Sequence, residues 1–283
     1  MTLQEALKKG TEILKSVNIE APAFEAGVIL CHAVNCDRVF LYSHGDTVLE
    51  AGKEESYLKL IGQRAERVPL QYVTGHQEFM SLDFDVGPGV LVPRQDTETL
   101  VEVVIREAEE NKLRILELGT GSGCIAISLA YRLNSCLVTA VDISAEALKV
   151  AAKNAVKAGV DGRVAFIRGN LFDSLDPKEP FDIIVSNPPY IPSKDIGMLQ
   201  PEVREFEPRL ALDGGSDGLD FYRDIVAGSA GFLKTGGLLA FEVGCGQAKD
   251  VAALMSGSYL NVKICKDLAR VDRVVTGRLK PST

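Results

Sequence analysis

The sequence predicts an α/β protein: a small helical domain, a β-hairpin linker, then a doubly wound seven-stranded sheet that closes with an antiparallel hairpin. Three observations predict it. Residues 1–70 carry apolar stripes at helical spacing only. Beyond Asn111, short apolar runs alternate with helical patterns, as buried parallel strands joined by crossover helices do. The last two runs, Asn261–Lys266 and Arg273–Thr276, are separated by a turn too short for a crossover, so they are expected to pair antiparallel.

In chain order, Thr2 with Glu5 three positions later forms a capping box, and Leu3, Ala6, Leu7, Gly10, Ile13 and Leu14 recur on one helical face. A second stripe runs from Phe24 through Val28 to Cys31, and a third uses Tyr57, Leu58, Ile61 and Ala65. Asn35–Asp37 and His44–Asp46 break the pattern. From Tyr72 to Val92 the residues Phe79, Leu82, Phe84 and Val86 approximate strand alternation, punctuated by Gly75, Gly87 and Gly89, which predicts a hairpin linker over residues 71–95. Pro93-Arg94-Gln95-Asp96-Thr97-Glu98 then leads into an amphipathic helix expected from Thr97 to Asn111, the start of a second domain over 96–283. Its strand candidates are Leu113–Leu118, Leu137–Asp142, Val164–Arg168, Phe181–Ser186 and Gly237–Val243, ahead of the terminal hairpin. Helices are expected after Gly123, after Ser144, near Leu219–Leu233 and near Gln247–Met255.

With 283 residues, 46% hydrophobic and 25% charged, the chain has a globular balance. No run approaches the ~18 apolar residues of a membrane helix. Met1–Asn18 has no signal-peptide core and carries acids that transit peptides avoid, so a cytoplasmic protein without membrane contact is expected. A formal net charge of −8 with no basic cluster speaks against direct contact with nucleic acid, whose phosphates need a basic surface. The six cysteines, Cys31, Cys36, Cys124, Cys136, Cys245 and Cys265, are scattered and include no C-x-x-C pair. They are expected to be buried and reduced, and no metal site is expected; the nearest candidate is Cys31, His32 and Cys36.

Glu117-Leu118-Gly119-Thr120-Gly121-Ser122-Gly123 follows the first strand and opens a helix. Glycines there allow a sharp turn and close approach to a ligand, and the helix start offers free N–H groups. The glycines fall at every second position, with Cys124 where a dinucleotide fingerprint has its third glycine. Asp142 ends the second strand, where an acid can accept from both ribose hydroxyls of a nucleoside. The loop and the acid leave S-adenosylmethionine and a nicotinamide dinucleotide both open, with a plain tight turn as the structural alternative.

Phe181–Ser186 runs directly into Asn187-Pro188-Pro189-Tyr190 at the strand's carboxyl end. Two prolines remove two donors and fix two φ angles, which leaves a rigid segment rich in acceptors: the Asn187 side-chain oxygen and the Pro188 carbonyl. A planar –NH2 group, whether a glutamine amide or an adenine amine, has two N–H donors and a delocalised lone pair. Two fixed acceptors orient both donors and offset the positive charge that builds as a methyl arrives. Tyr190 is expected to stack on the planar group. A Pro-rich turn capped by Asn187 is the structural alternative. Joined with the glycine loop and Asp142, the segment points to methyl transfer from S-adenosylmethionine.

At these residues the chain resembles the class I, Rossmann-like S-adenosylmethionine methyltransferases, and within them the HemK-type release factor glutamine methyltransferases. The likeness includes Pro69–Gly75, Val92–Arg94 with Asp96–Glu98, Glu117–Gly123, Val185–Ile191, Pro201–Val203, Glu207-Pro208, Asp213–Leu219 and Asp272-Arg273. The tetrad alone is shared with adenine and guanine amino-methyltransferases. The resemblance implies methylation of the side-chain amide nitrogen of the glutamine in the Gly-Gly-Gln loop of class I peptide chain release factors, by a monomer. It implies that Asn187, Pro188, Pro189 and Tyr190 hold that glutamine. Gly119, Thr120, Gly121, Ser122, Gly123, Asp142, Leu171 and Asn187 are implied to hold the cofactor. Leu171 stands where relatives often have an aromatic beside the adenine, and it can pack but not stack. Residues 1–70 are implied, by position, to dock the release factor. Arg94–Glu98 is expected either to close over the methionine end of the cofactor or to cap a helix. Glu242 is expected to be an exposed strand-end acid, with a place beside the site as the alternative. Glu202–Glu207 with Gly214, Gly215 and Gly218 is read either as a mobile lid or as a surface loop. Glutamine methylation of a ribosomal protein, amino-methylation of nucleic acid and nicotinamide-dependent redox chemistry remain the competing functions.

Overall fold

A computed structural model describes residues 1–108 and 112–281. The chain divides into two compact units: Met1–His76 together with Gln200–Phe206, and the rest of the described chain. The expected helix end at Asn111 and domain end at Thr283 lie outside the described residues.

The first unit holds helices α1 (Leu3–Ser16), α2 (Pro22–Val34), α3 (Arg38–Ser43), α4 (Ala51–Ala65) and α5 (Leu70–Thr74). The capping box forms as expected: Thr2 accepts from Glu5 N–H and Glu5 accepts from Thr2 N–H. The stripes of α1 and α4 meet α2 in one apolar cluster around Leu14, Ile29, Leu30, Tyr57 and Ile61, but α2 turns Ala26, Ile29 and Leu30 inward and not the expected Phe24–Val28–Cys31 stripe, whose Phe24 is exposed. Gly10 is required by that packing, since a Cβ there would lie 1.9 Å from the Tyr57 hydroxyl. Two short helices depart from the expected pattern. α3 starts on an Asp37 cap, and α5 takes up the start of what reads as hairpin linker, ending on Gly75 at φ 78°. Neither is long enough to show a helical period. The helix Pro201–Phe206 also belongs to this unit. Its Glu202 shares the buried Arg64 guanidinium with Glu25, at 3.1 and 2.5 Å, and also pairs with Arg67.

In the second unit, β1 (His76–Phe79) and β2 (Leu82–Asp85) form the expected hairpin and bury Phe79 and Phe84 edge to face. After a 3-10 turn at Gln95–Thr97 the order is α6 (Glu98–Glu107), β3 (Leu113–Leu118), α7 (Cys124–Arg132), β4 (Cys136–Asp142), α8 (Ala145–Lys157), β5 (Val164–Arg168) and β6 (Phe181–Ser186). The Pro201–Phe206 helix is α9; α10 (Asp220–Ser229), β7 (Leu233–Glu242), α11 (Ala248–Met255), β8 (Tyr259–Lys266) and β9 (Asp272–Leu279) follow. Among the described residues the sheet has seven strands in the order β5-β4-β3-β6-β7-β9-β8. It is parallel through β7, and β9 runs antiparallel to both β7 and β8. The fold class is therefore the one expected. Strand β7 begins at Leu233, not Gly237, and so claims the residue at which α10 was expected to end. Consecutive strand residues face opposite sides, which puts Ile115, Ile183 and Val185 in one apolar layer and Leu116, Ile184 and Leu239 in the other.

The chain order reverses between β3 and β6, where ligands of open α/β sheets bind, at the carboxyl ends of the strands. Register makes this specific. Leu118 pairs with Val141 and with Ser186, and Ser186 pairs with Phe241. The next residue on each strand is then Gly119, Asp142, Asn187 and Glu242, so four positions far apart in sequence form one row.

Candidate active site

Gly119, Asp142 and Asn187 of that row border a cavity of about 370 Å³, within the range of small-molecule sites. Leu118, Gly119, Gly121, Asp142, Leu171, Asn187, Pro188 and Pro189 line it. Leu171 reaches the wall from a left-handed backbone at φ 50°. Four of the expected site residues do not line it. Thr120 and Ser122 are buried beneath the loop, and Gly123 caps α7, where a Cβ would lie 2.7 Å from Ile127 and 3.0 Å from Ala151. Tyr190 packs into an apolar layer, burial pushes its hydroxyl up to about 12, and its carbonyl accepts from the Gln247 side chain. Its ring is therefore a support for the segment in this structure and not a wall of the cavity.

The loop is built by its own hydrogen bonds. Gly119 and Thr120 N–H both donate to the Val141 carbonyl, at 2.9 and 3.1 Å. Gly119 (φ 77°) and Gly121 (φ 56°) take the left-handed conformation, and a Cβ on either would meet no protein atom within 4 Å. Since both line the cavity, such a methyl would fall in ligand space. Asp142 accepts from Gly121 N–H at 2.8 Å on one oxygen and from Ser144 N–H at 2.9 Å on the other. Each oxygen keeps a second lone pair for a ligand hydroxyl. Glu117, fully buried, accepts from the Thr120 hydroxyl at 2.5 Å and from Ala126 N–H at 3.1 Å. Burial pushes its carboxyl up to about 8, with the nearby Asp142 charge adding to the effect.

The Arg94–Glu98 stretch does something sequence reasoning missed. Neither Asp96 nor Thr97 caps a helix through its side chain. Arg94 pairs with the buried Glu207 at 2.6 Å, Asp96 with Arg273 at 2.9 Å, and Glu98 accepts from Met80 N–H at 2.6 Å. Thr97, 2% exposed, accepts from the Asn187 side-chain amide at 3.2 Å. Glu242 is also not the exposed acid expected: it is 1% exposed, and burial pushes its carboxyl up to about 7, opposed by the nearby Thr97 hydroxyl. Its place on the row of strand ends, flanked by β6 and β9, explains the burial.

The segment after the tetrad is pinned in place. Gly214 N–H donates to the Ile191 carbonyl, Ser193 to Asp213, and Gln247 bridges the Tyr190 and Gly218 carbonyls. Gly214 and Gly218 are packing positions: a Cβ would lie 2.8 Å from Tyr190 Cα and 2.3 Å from the Tyr190 carbonyl. The cysteine expectation also needs correction. Cys124 and Cys136 are buried, Cys31, Cys36 and Cys265 are half-buried, and Cys245 is exposed in the turn that leaves β7.

Comparison with known proteins agrees with this architecture. A family model described as PrmC N-terminal domain matches residues 5–75, and one described as methyltransferase small domain matches residues 82–202. Among solved structures, a methyltransferase from Pyrococcus furiosus superposes with a TM-score of 0.54 at 19% identity, covering 70% of this chain and 89% of that one. A ribosomal protein L11 methylase from Lactobacillus delbrueckii gives 0.51 at 21% identity, covering 69% and 84%. The fold is that of a class I methyltransferase. A release factor glutamine methyltransferase of Geobacter sulfurreducens is 44% identical over 98% of this chain and 97% of its own length. One of Moorella thermoacetica is 45% identical over 96% and 97%. The chain belongs to the release factor glutamine methyltransferase family.

Proposed function

We propose that the chain methylates the side-chain amide nitrogen of the glutamine in the Gly-Gly-Gln loop of class I release factors, using S-adenosylmethionine. One observation carries the reading: Asn187, directly after β6, turns its amide nitrogen to Thr97 and so leaves its side-chain oxygen for the cavity it lines.

The residues present fit the cofactor. Gly119 and Gly121 keep open the space a side chain would fill, and Asp142 holds two spare acceptor positions toward the cavity. In this reading Asp142 holds the ribose, Leu171 packs on the adenine, and the loop backbone faces the methionine portion. Bound there, S-adenosylmethionine supplies a methyl group on a positively charged sulfur. The tetrad's task is orientation. Asn187 Oδ1 and the Pro188 carbonyl accept the two N–H bonds of the substrate amide, which favours a pyramidal nitrogen with its lone pair aimed into the cavity. Both acceptors also offset the charge that grows on that nitrogen. The proton becomes acidic only as the new bond forms, so no strong base is needed beforehand.

The helical unit is the docking surface in this reading, supported by the exposed apolar side chains Phe24, Val39, Tyr42 and Val48 on it. The net charge of −8 disfavours a nucleic-acid target. No described helix is long and apolar enough to cross a membrane. The enzyme in this reading is a cytoplasmic monomer, which gel filtration checks. The test of function is transfer of labelled methyl to a purified release factor. Label on the Gly-Gly-Gln form and none on a Gly-Gly-Ala form is expected; equal labelling of both would refute the assignment.

A further inference from the structure

The cavity is walled by segments far apart in the chain. The glycine loop gives it Gly119 and Gly121, the stretch after β2 gives it Gly89, Val90 and Leu91, and the start of α8 gives it Glu146. The first two walls are irregular backbone, and such segments open locally unless something ties them down. A cavity that must fit one ligand therefore needs its walls held at a fixed separation.

One side chain joins all three. Asn154 lies further along α8 and is 2% exposed. Its Oδ1 accepts from Asp85 N–H at 2.8 Å, and its Nδ2 donates to the Asp85 carbonyl at 3.0 Å. The amide thus pairs with both backbone groups of the residue that ends β2. Nδ2 also donates to the Ser122 carbonyl, inside the glycine loop, at 3.0 Å. Both amide hydrogens are then used and the oxygen is engaged. Turning the amide over would set its oxygen against two carbonyls, so only one orientation fits. Aspartate in its place lacks the two donors, and leucine lacks donors and acceptor alike.

We propose that Asn154 is a positioning residue for S-adenosylmethionine, on the cofactor reading given above: it locks the glycine loop to the end of the hairpin and so keeps the cavity in the shape that admits the cofactor. Lys153 and Lys157 also join α8 to the hairpin, through the Asp85 carboxylate at 2.5 and 2.6 Å. Those pairs are solvent-exposed on the lysine side, where ion pairs contribute little, and they reach the hairpin but not the loop. Without Asn154 every wall residue is still present, but the loop is free to move against the hairpin. A site competent for about one-tenth of the time binds about tenfold more weakly. Asn187 and Pro188 follow β6, to which the Asn154 side chain makes none of these bonds, so the effect falls on cofactor binding and not on turnover at saturation.

Calorimetric titration of the full chain with S-adenosylhomocysteine, beside steady-state kinetics with a purified release factor, tests this. Asn154→Leu keeps the size of the side chain and removes the amide. Affinity for S-adenosylhomocysteine is expected to fall about tenfold or more and KM for S-adenosylmethionine to rise in step, with kcat and the release-factor KM within about twofold of wild type. Two controls separate this from general loosening. Lys153→Ala with Lys157→Ala weakens the hairpin's hold on α8 and leaves the loop alone. Met255→Ala truncates a buried core residue outside the cavity lining. Both should retain near-wild-type affinity, Met255→Ala at a lower Tm. Wild-type affinity in Asn154→Leu overturns the proposal, and so does an equal affinity loss in either control or a loss confined to kcat. Wild-type protein that binds no S-adenosylhomocysteine overturns the cofactor reading itself. If Asn154→Leu does not fold, amide hydrogen exchange of the wild-type chain decides. S-adenosylhomocysteine should slow exchange at Asp85 N–H together with residues 119–123, and slowing confined to the loop contradicts the proposal.

Discussion

Asp142 Oδ2 accepts the Gly121 N–H at 2.8 Å, so the acid that ends β4 braces the glycine loop that follows β3. The two belong to neighbouring strands, paired at Leu118 and Val141 one residue earlier. Asp142→Ala therefore removes a ligand acceptor and a loop support together. S-adenosylhomocysteine affinity, by calorimetry, is expected to drop at least about tenfold, roughly 1.4 kcal/mol. An unchanged affinity would place the ribose elsewhere.

The loop glycines divide by role. Gly121→Ala puts a methyl into the cavity, and Gly123→Ala drives one into Ile127 and Ala151. Both also place a side chain at positive φ, at about 1–2 kcal/mol each. Gly121→Ala should lose cofactor binding with only the few degrees of Tm that its positive φ costs, less than Gly123→Ala, which adds the clash. Gly123→Ala should lose several degrees of Tm, because its contacts are buried core. Equal thermal effects from the two changes would show that the distinction is wrong.

Glu242 makes stability depend on pH in an unusual direction. Burial raises its carboxyl to about 7, above the ordinary carboxylate range, so the fold favours the protonated form. Its contribution is fully present below the unfolded-state value and is lost as pH rises to about 7. Glu242→Gln stays neutral and should gain Tm relative to wild type between about pH 5 and pH 8, by up to several degrees. Glu117 loses stability in the same direction, but in both proteins, so it cancels in the difference. A difference in Tm that stays flat across this range would contradict the burial assigned to Glu242.

The helical unit has its own weak point at Arg64. It is 5% exposed and holds Glu25 and Glu202, and only Glu202 has a second cation in Arg67. Arg64→Ala leaves the half-buried Glu25 without its partner and is expected to destabilise by about 1–3 kcal/mol. Arg223→Ala, which breaks the surface pairs with Asp217 and Asp220, should leave Tm nearly unchanged. Similar Tm values for the two variants would refute the contrast.

Much of this architecture was legible in the sequence because the parallel strands read as short, largely apolar runs: Leu113–Leu118, Val164–Arg168 and Phe181–Ser186 fall where the pattern put them. The glycine loop, Asp142 and Asn187–Pro189 were legible as chemistry because each stands at the carboxyl end of such a run. Glu242 and Thr97 were not. Their meeting with Asn187 depends on strand register and on a turn fixed by Arg94–Glu207 and Asp96–Arg273, contacts between residues far apart in the chain. Helices α3 and α5 are shorter than two turns and leave no periodicity to read. Gly214 and Gly218 looked like hinge points, since composition does not distinguish a glycine needed for close approach from one needed for freedom.

In the proposed function, Asn187-Pro188-Pro189-Tyr190 presents a protein glutamine amide for methylation. Mass spectrometry of a purified release factor, incubated with the enzyme and S-adenosylmethionine, measures this most directly. The mass of one methyl group is expected on the side-chain nitrogen of the Gly-Gly-Gln glutamine, greatly reduced with Asn187→Ala. A methyl group on any other residue, or an undiminished yield with Asn187→Ala, would contradict it.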